Sequence, residues 1–208
     1  MRKYHIQFLL SATDAAQFPA TTAPEIAFLG RSNVGKSSLI NALLGAREAR
    51  VSSTPGRTRA INFFALHDSI KELEKNQKPA LIFADLPGYG YAKISRSISA
   101  EWPKFIEPYL AERNSLALCV CLVDMNVPPQ ESDMQLSQYL QDAGRNALVV
   151  GTKSDKLSGN GLVKARRTLE KALNVERVLA ISSRDGAGIP ELWKVIVETG
   201  SLERDGRL

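Results

Sequence analysis

The sequence predicts an α/β fold in which a mostly parallel sheet is covered by helices on both faces. Three observations carry this reading. Short, nearly continuous apolar runs recur along the chain, helical patterns alternate with them, and a glycine-rich turn follows one of these runs directly. Parallel strands buried on both faces read as unbroken Val/Leu/Ile runs, and each needs a crossover, usually a helix.

Glu25-Ile26-Ala27-Phe28-Leu29-Gly30 reads as a strand entering a glycine turn, followed by a helix over 36–44. Residues 61–67 and 80–85 read as two further strands. Their connector, 68–79, is polar and charged with no helical stripe, which predicts a hairpin and one antiparallel edge strand. Runs at 116–124, 147–152 and 177–182 complete the sheet, with helices expected near 99–111, 130–142, 161–173 and 190–198. The last helix is the clearest, because Ile189, Leu192, Trp193, Ile196 and Val197 fall on one face and Pro190 suits a first turn. The ends, 1–22 and 199–208, are expected to be the least ordered, leaving one domain over 1–208 with its core at 22–198.

With 208 residues, 44% hydrophobic and 24% charged, the chain has the makeup of one globular domain rather than a disordered or membrane protein. No apolar run approaches the ~18 residues of a membrane span. The basic start at Arg2 and Lys3 resembles a signal peptide, but Gln7 interrupts its short apolar stretch, so a cytoplasmic location is expected. Cys119 and Cys121, two apart on an apolar strand, point to one face and read as buried core thiols, which suits a reducing compartment. The net charge of +5 is compatible with an RNA, DNA or acidic-lipid partner but does not establish one.

Gly30-Arg31-Ser32-Asn33-Val34-Gly35-Lys36-Ser37 matches G-x-x-x-x-G-K-[ST], between a strand and a helix as that motif requires. The glycines let the loop curl so that successive N–H groups face phosphate oxygens. Lys36 adds a point charge for the β/γ-phosphates, Ser37 a hydroxyl for Mg²⁺, and the helix its positive end. The predicted architecture is thus a P-loop NTPase fold.

The base is selected elsewhere. Thr152-Lys153-Ser154-Asp155 fits [NT]-K-x-D just after a strand. A carboxylate only accepts hydrogen bonds, so Asp155 can take N1–H and N2–H of guanine together. Adenine would present it with a lone pair instead. The Lys153 stem can lie along the base and the phosphate loop. Ile181-Ser182-Ser183 stands where a backbone N–H could reach guanine O6. The ligands expected are therefore GTP and GDP.

Asp85-Leu86-Pro87-Gly88 fits D-x-x-G at a strand end. Asp85 is expected to hold Mg²⁺ through water, and the Gly88 N–H to meet the γ-phosphate. In the polar loop Ser53-Thr54-Pro55-Gly56-Arg57-Thr58, one threonine should complete the metal shell only in the GTP state. Thr58 is preferred over Thr54 because it stands right before the next strand. Tyr89 occupies the position where many GTPases carry a water-orienting Gln, so slow intrinsic hydrolysis is expected. Asn33 either holds a monovalent cation such as K⁺ beside the phosphates or merely braces the loop. Lys164, Arg167 and Lys171 share one helix face, with Arg166 beside them, and read as either a solvated face or an rRNA contact.

Taken in order, G-R-S-N-V-G-K-S-S at 30–38, T-P-G-R-T at 54–58, I-N-F-F at 61–64, D-L-P-G-Y-G-Y-A at 85–92, T-K-S-D at 152–155, S-S at 182–183 and E-L-W at 191–193 resemble the EngB (YihA/YsxC) family of Era/TrmE-like P-loop GTPases. The resemblance covers about 22–198. It implies Ser37 and Thr58 as Mg²⁺ ligands. Lys36, Thr58 and Gly88, with Asn33 through its cation site, are expected to form the hydrolytic centre. The resemblance implies nucleotide contacts at 30–37, at Gly56, Arg57, Thr58, Arg59 and Ala60, at 85–88, at 152–155 and at 181–183. It further implies a monomeric cytoplasmic switch acting on a precursor of the large ribosomal subunit, its rRNA and proteins, with a link to cell division and septation. Arg59 stands where family members often have Gln, and Asn126-Val127 where they often have Arg-His, so ribosome or switch contacts made through those family residues are not carried over, while the nucleotide site is untouched. Two other functions compete: a GTP-dependent signalling or division adaptor, and a small-substrate kinase, which would not need T-K-x-D.

Overall fold

The computed structural model describes residues 4–45, 60–68, 78–89 and 104–204. The strands are β1 (His5–Ala12), β2 (Glu25–Gly30), β3 (Ile61–His67), β4 (Leu81–Asp85), β5 (Leu116–Asp124), β6 (Ala147–Thr152) and β7 (Val178–Ala180). The helices are α1 (Lys36–Leu44), α2 (Ile106–Glu112), α3 (Glu131–Asp142), α4 (Gly159–Leu173) and α5 (Ile189–Arg204). One seven-stranded sheet in the order β1-β3-β4-β2-β5-β6-β7 runs through the middle. From β4 to β7 all neighbours are parallel, while β1, β3 and β4 pair antiparallel.

Strand alternation builds two cores. Ala27, Leu29, Cys119, Cys121 and Val123 face α2, α3 and α4 through Tyr109, Leu136, Leu140, Leu169 and Leu173. Ile26, Phe28, Leu118, Val120 and Leu122 face α1 and α5 through Leu39, Ile40, Leu43, Leu192, Trp193 and Ile196. Each strand thus serves both cores with period two. Both cysteines are buried on the same face as expected; burial pushes the Cys119 thiol up to about 12 and the Cys121 thiol well above its ordinary value. On the other face, Trp193 donates its Nε1–H to the Leu43 carbonyl at 3.1 Å and stacks on Tyr4 at 5.4 Å, joining α5 to α1 and to the N-terminal segment.

The N-terminal stretch expected to be among the least ordered instead holds the sheet's edge. Backbone pairing from His5↔His67 to Ala12↔Ile61 ties β1 to β3, so β3 lies inside the sheet and β1 takes the antiparallel edge. The run 5–12 mixes polar and apolar residues because it is a half-exposed edge; Phe8 is 51% exposed. At the far end α5 continues to Arg204. Strand β7 is shorter than 177–182 because Ile181 leaves the ladder, its carbonyl accepting the Ser154 N–H at 3.1 Å. Helix α4 begins at Gly159, capped by the Ser158 hydroxyl, which accepts the Gly161 N–H at 3.3 Å. The expected helix near 99–111 is observed as Ile106–Glu112; 99–103 lie outside the described residues.

At the start of β2, Glu25 is fully buried, a costly place for a carboxylate unless it is paired and hydrogen-bonded. It accepts bonds from the Tyr109 hydroxyl at 2.9 Å, Arg113 Nε at 3.0 Å and the Ser115 hydroxyl at 2.9 Å. Burial, then the neighbouring Glu25 charge, pushes the Tyr109 phenol well above its usual range. This cluster clamps β2, α2 and the turn into β5 at the end of the sheet away from the glycine-rich loop. Arg113→Ala would strand the carboxylate, and about 3–5 kcal/mol of unfolding free energy should be lost in denaturant titration. Adding Glu25→Gln should recover part of that loss.

Candidate functional site

Every expected contact segment that is described sits at the carboxyl ends of the parallel strands, where open α/β sheets place their ligands. The loop 30–37 joins β2 to α1. Gly35 has φ 107°, a left-handed conformation that L side chains rarely adopt, and it turns the backbone into the helix. Asn33 is also left-handed, at φ 64°. The free N–H groups of the first turn of α1 and the Lys36 ammonium make this end of the loop positive. Lys36 pairs with the buried Asp85 at the end of β4. Ser37, the next residue, is half-buried in the same first helical turn.

Beyond β4 the chain runs alongside the phosphate loop. The Leu86 N–H donates to the Phe28 carbonyl at 3.2 Å, and the Ser32 N–H to the Tyr89 carbonyl at 3.1 Å. Tyr89 and Arg31 form an isolated parallel bridge. Gly88 therefore lies against Ser32. A Cβ at Gly88 would stand 2.8 Å from the Ser32 hydroxyl and 3.2 Å from its backbone, a close approach that only glycine permits. The Tyr89 side chain does not stand in the cleft, as its comparison with a water-orienting Gln would suggest. It is buried in the core beneath α3, where its hydroxyl donates to Asp133 Oδ1 at 3.1 Å.

On the other side, β6 delivers 152–155 beside the same loop. The buried Thr152 hydroxyl donates to the Val34 carbonyl at 2.7 Å, with the Val123 carbonyl at 3.1 Å. Lys153 is left-handed, φ 58°, and its ammonium donates to the Asn33 carbonyl at 2.9 Å and to Asp124 Oδ2 at 2.6 Å. The Lys153 stem thus runs to the phosphate loop, as the sequence suggested. Asp155 Oδ1 accepts the Ser182 hydroxyl at 2.9 Å, and Arg184 lies 3.8 Å from Oδ2. Ser182 Oγ in turn accepts the N–H groups of Arg184 and Asp185 at 3.2 and 3.3 Å, so the 181–183 turn is locked and orients Asp155. Ile181 is buried and Ser183 half-buried.

Two residues the sequence reading did not enlist complete this side. Asn126, singled out only as a departure from a family pattern, donates its Nδ2–H to Asp124 Oδ1 at 3.0 Å and to the Lys153 carbonyl at 3.1 Å. Its own N–H donates to Asp124 Oδ1 at 2.9 Å. Burial raises the Asp124 carboxyl, but the Lys153 and Asn126 hydrogen bonds outweigh it and hold the group below its ordinary range. An aspartate at a strand end is so common that its spacing carried no signal.

Gly56, Arg57, Thr58 and Arg59 lie outside the described residues; Ala60 stands half-buried at the start of β3. A concavity of about 790 Å³ lined by Leu9, Thr21, His67, Lys78 and Ile82, among others, shares no residue with the nucleotide loops.

Comparison with known proteins identifies the family and the fold. A family model described as a 50S ribosome-binding GTPase matches residues 25–153. A probable GTP-binding protein EngB from Acidobacterium capsulatum is 65% identical over 187 residues, covering 90% of this chain and 87% of that protein. The crystal structure of a probable GTP-binding protein EngB superposes with a TM-score of 0.64 at 24% identity, covering 85% of this chain and 98% of the other. Era, in a complex with MgGDPNP and a segment of 16S ribosomal RNA, shares the fold at a TM-score of 0.65 and 23% identity, over 85% of this chain and 56% of Era. The chain belongs to the EngB family of GTP-binding P-loop GTPases.

Proposed function

We propose that this GTPase is a nucleotide switch in assembly of the large ribosomal subunit, with slow hydrolysis of its own. The observation that carries the nucleotide part is Asp155, an acceptor-only carboxylate oriented by Ser182 in the short turn after β6, whose preceding residues Thr152 and Lys153 are bonded to the phosphate loop. In this reading 30–37 cradle the phosphates, Lys36 neutralises the β/γ oxygens, and 152–155 with 181–183 read guanine. The Gly88 N–H senses the γ-phosphate. Thr58 completes the metal shell only with GTP, and its neighbours 56, 57, 59 and 60 flank the nucleotide.

Mg²⁺ fits the donors present. Ser37 and Asp85 are hard oxygen donors flanking Lys36, and Mg²⁺ favours few protein oxygens plus water and phosphate. When bound, the ion would neutralise negative charge on the phosphates. Tyr89 spends its hydroxyl on Asp133 and leaves the attacking water without a side-chain partner at that position, which favours a slow basal rate. Asn33 is exposed in the phosphate loop, and its side-chain oxygen is the K⁺ ligand in this reading.

The ribosomal part rests on the family and on a basic face. Lys164, Arg167 and Lys171 are exposed along α4, as rRNA phosphates would require. Among the described residues no helix is long and apolar enough to cross a membrane. A monomer in the cytoplasm acting on a ribosomal precursor is the reading we adopt.

Co-sedimentation with 50S particles should depend on GTP over GDP, and the triple Ala variant of Lys164, Arg167 and Lys171 should flatten its salt dependence. Nucleotide-independent binding would favour an adaptor role instead. K⁺ should accelerate hydrolysis relative to Na⁺, and Asn33→Ala should erase the difference; equal rates in both salts for the unmodified protein would reject the cation site. Asp155→Asn exchanges an acceptor oxygen for an NH₂ donor, which mispairs with guanine and pairs with the extra carbonyl of xanthine. GTP affinity should fall by at least ~2–4 kcal/mol while XTP binding appears. A variant that still prefers GTP would remove Asp155 from the base.

A further inference from the structure

Tyr89 follows Gly88 directly, and its side chain leaves the cleft for the core between β5 and α3. It is 3% exposed, and Asp133, in the first turn of α3, is 6% exposed. A buried phenol and a buried carboxylate are each costly without a partner. Here each is the other's partner, through a charge-assisted O–H···O bond of 3.1 Å. Arg31, the second residue of the phosphate loop, forms the backbone bridge to Tyr89, and its positive charge bears on both Asp133 and the Tyr89 phenol. The third neighbour is the Cys121 thiol of β5, which burial keeps neutral. Phosphate loop, post-β4 segment and α3 are thus joined behind the cleft by groups that the nucleotide site itself does not use.

We propose that Tyr89 and Asp133 are positioning residues for GTP hydrolysis, the buried bond between them setting how the Gly88 backbone lies against the phosphate loop according to where α3 sits. The inference rests on the reading of 85–88 as the γ-phosphate-sensing segment. Two constraints meet in consecutive residues. Gly88 is pressed onto Ser32 with no room for a Cβ, while the neighbouring ring is anchored on a different layer of the fold. Moving α3 therefore moves the Tyr89 backbone, and with it the Gly88 N–H. A reacting geometry displaced by 1 Å costs about a hundredfold in rate, so a small shift suffices. A partner gripping α3 would reach the hydrolytic centre by this route without touching nucleotide.

Burial pushes Asp133 up to about 6, against the lowering influence of the Tyr89 hydrogen bond and the Arg31 charge. At neutral pH the group is a carboxylate and accepts the hydrogen bond of the Tyr89 hydroxyl. On acidification through about 6 it takes up a proton and the bond loses its charge assistance. The rate should therefore fall over that interval in the unmodified protein.

The test compares the full chain with Tyr89→Phe, Asp133→Asn and Gly88→Ala. Single-turnover GTP hydrolysis is followed from pH 5.5 to 8, with GDP affinity and thermal unfolding measured on each. Tyr89→Phe keeps the ring and removes only the hydroxyl. It should lower kcat about tenfold, hold GDP affinity within about twofold, and lose the inflexion near pH 6. Asp133→Asn should lose the same inflexion. Wild-type kcat and pH profile in Tyr89→Phe would overturn the proposal, as would an equal loss of GDP binding and rate. If Gly88→Ala hydrolyses normally, the γ-phosphate reading beneath it fails. If Gly88→Ala is slow while Tyr89→Phe is not, only the positioning role fails.

Discussion

The Thr152 hydroxyl and the Lys153 ammonium cross from the end of β6 to the carbonyls of Val34 and Asn33, and these two contacts weld the loop after β6 to the glycine-rich loop. Carbonyls at such a turn have no ladder partner, so side chains from elsewhere must satisfy them. A nucleotide spans base and phosphates at once. The two loops proposed to hold it come from strands separated by β5 in the sheet, and the direct tie between them fixes their spacing. Lys153 pays for its left-handed backbone by reaching three groups on two elements: the Asn33 carbonyl, the Asp124 carboxylate and, through its own carbonyl, Asn126.

Around that weld the protein places its buried charges at the two ends of β2. At the amino end Glu25 is saturated by Tyr109, Arg113 and Ser115, a closed network that rigidifies the base of the sheet. At the carboxyl end Lys36 meets Asp85, and Tyr89 meets Asp133. The second set is built differently. On the reading proposed above, Lys36 and Asp85 would exchange each other for a phosphate and its metal when nucleotide binds. The stiff end supports the responsive end through one continuous strand.

The edge formed by β1 bears on the same division. It pairs along β3, the strand that follows the expected metal-ligand loop, and it brings Tyr4 onto Trp193 of α5. The N-terminal segment is thereby part of the scaffold that holds β3 in place.

The strand–loop–helix setting of 30–37 and the placement of 152–155 at the end of β6 were legible from the sequence because their signals are local. A glycine must stand where φ is positive, a lysine and a serine must follow at the helix start, and a carboxylate must follow a strand end by a set number of residues. Periodicity likewise determined the parallel strands and α5, since a buried face leaves its trace every two or every 3.6 residues. Strand β1 was not legible, because the apolar run of this half-exposed edge strand is short and broken by Gln7, and its order comes from backbone pairing with a distant strand, from His5↔His67 to Ala12↔Ile61. Neither was the role of Tyr89, whose neighbour in the sequence is Gly88 but whose partner is Asp133 on another layer. Asp124 and Asn126 escaped for the same reason: their value lies in meeting the Lys153 side chain and carbonyl across adjacent parallel strands. Residue type and spacing set what chemistry this chain can do. Which buried polar groups meet, and hence how the loops are held together, was decided only by packing, because a hydrogen bond between distant residues leaves no period in the sequence.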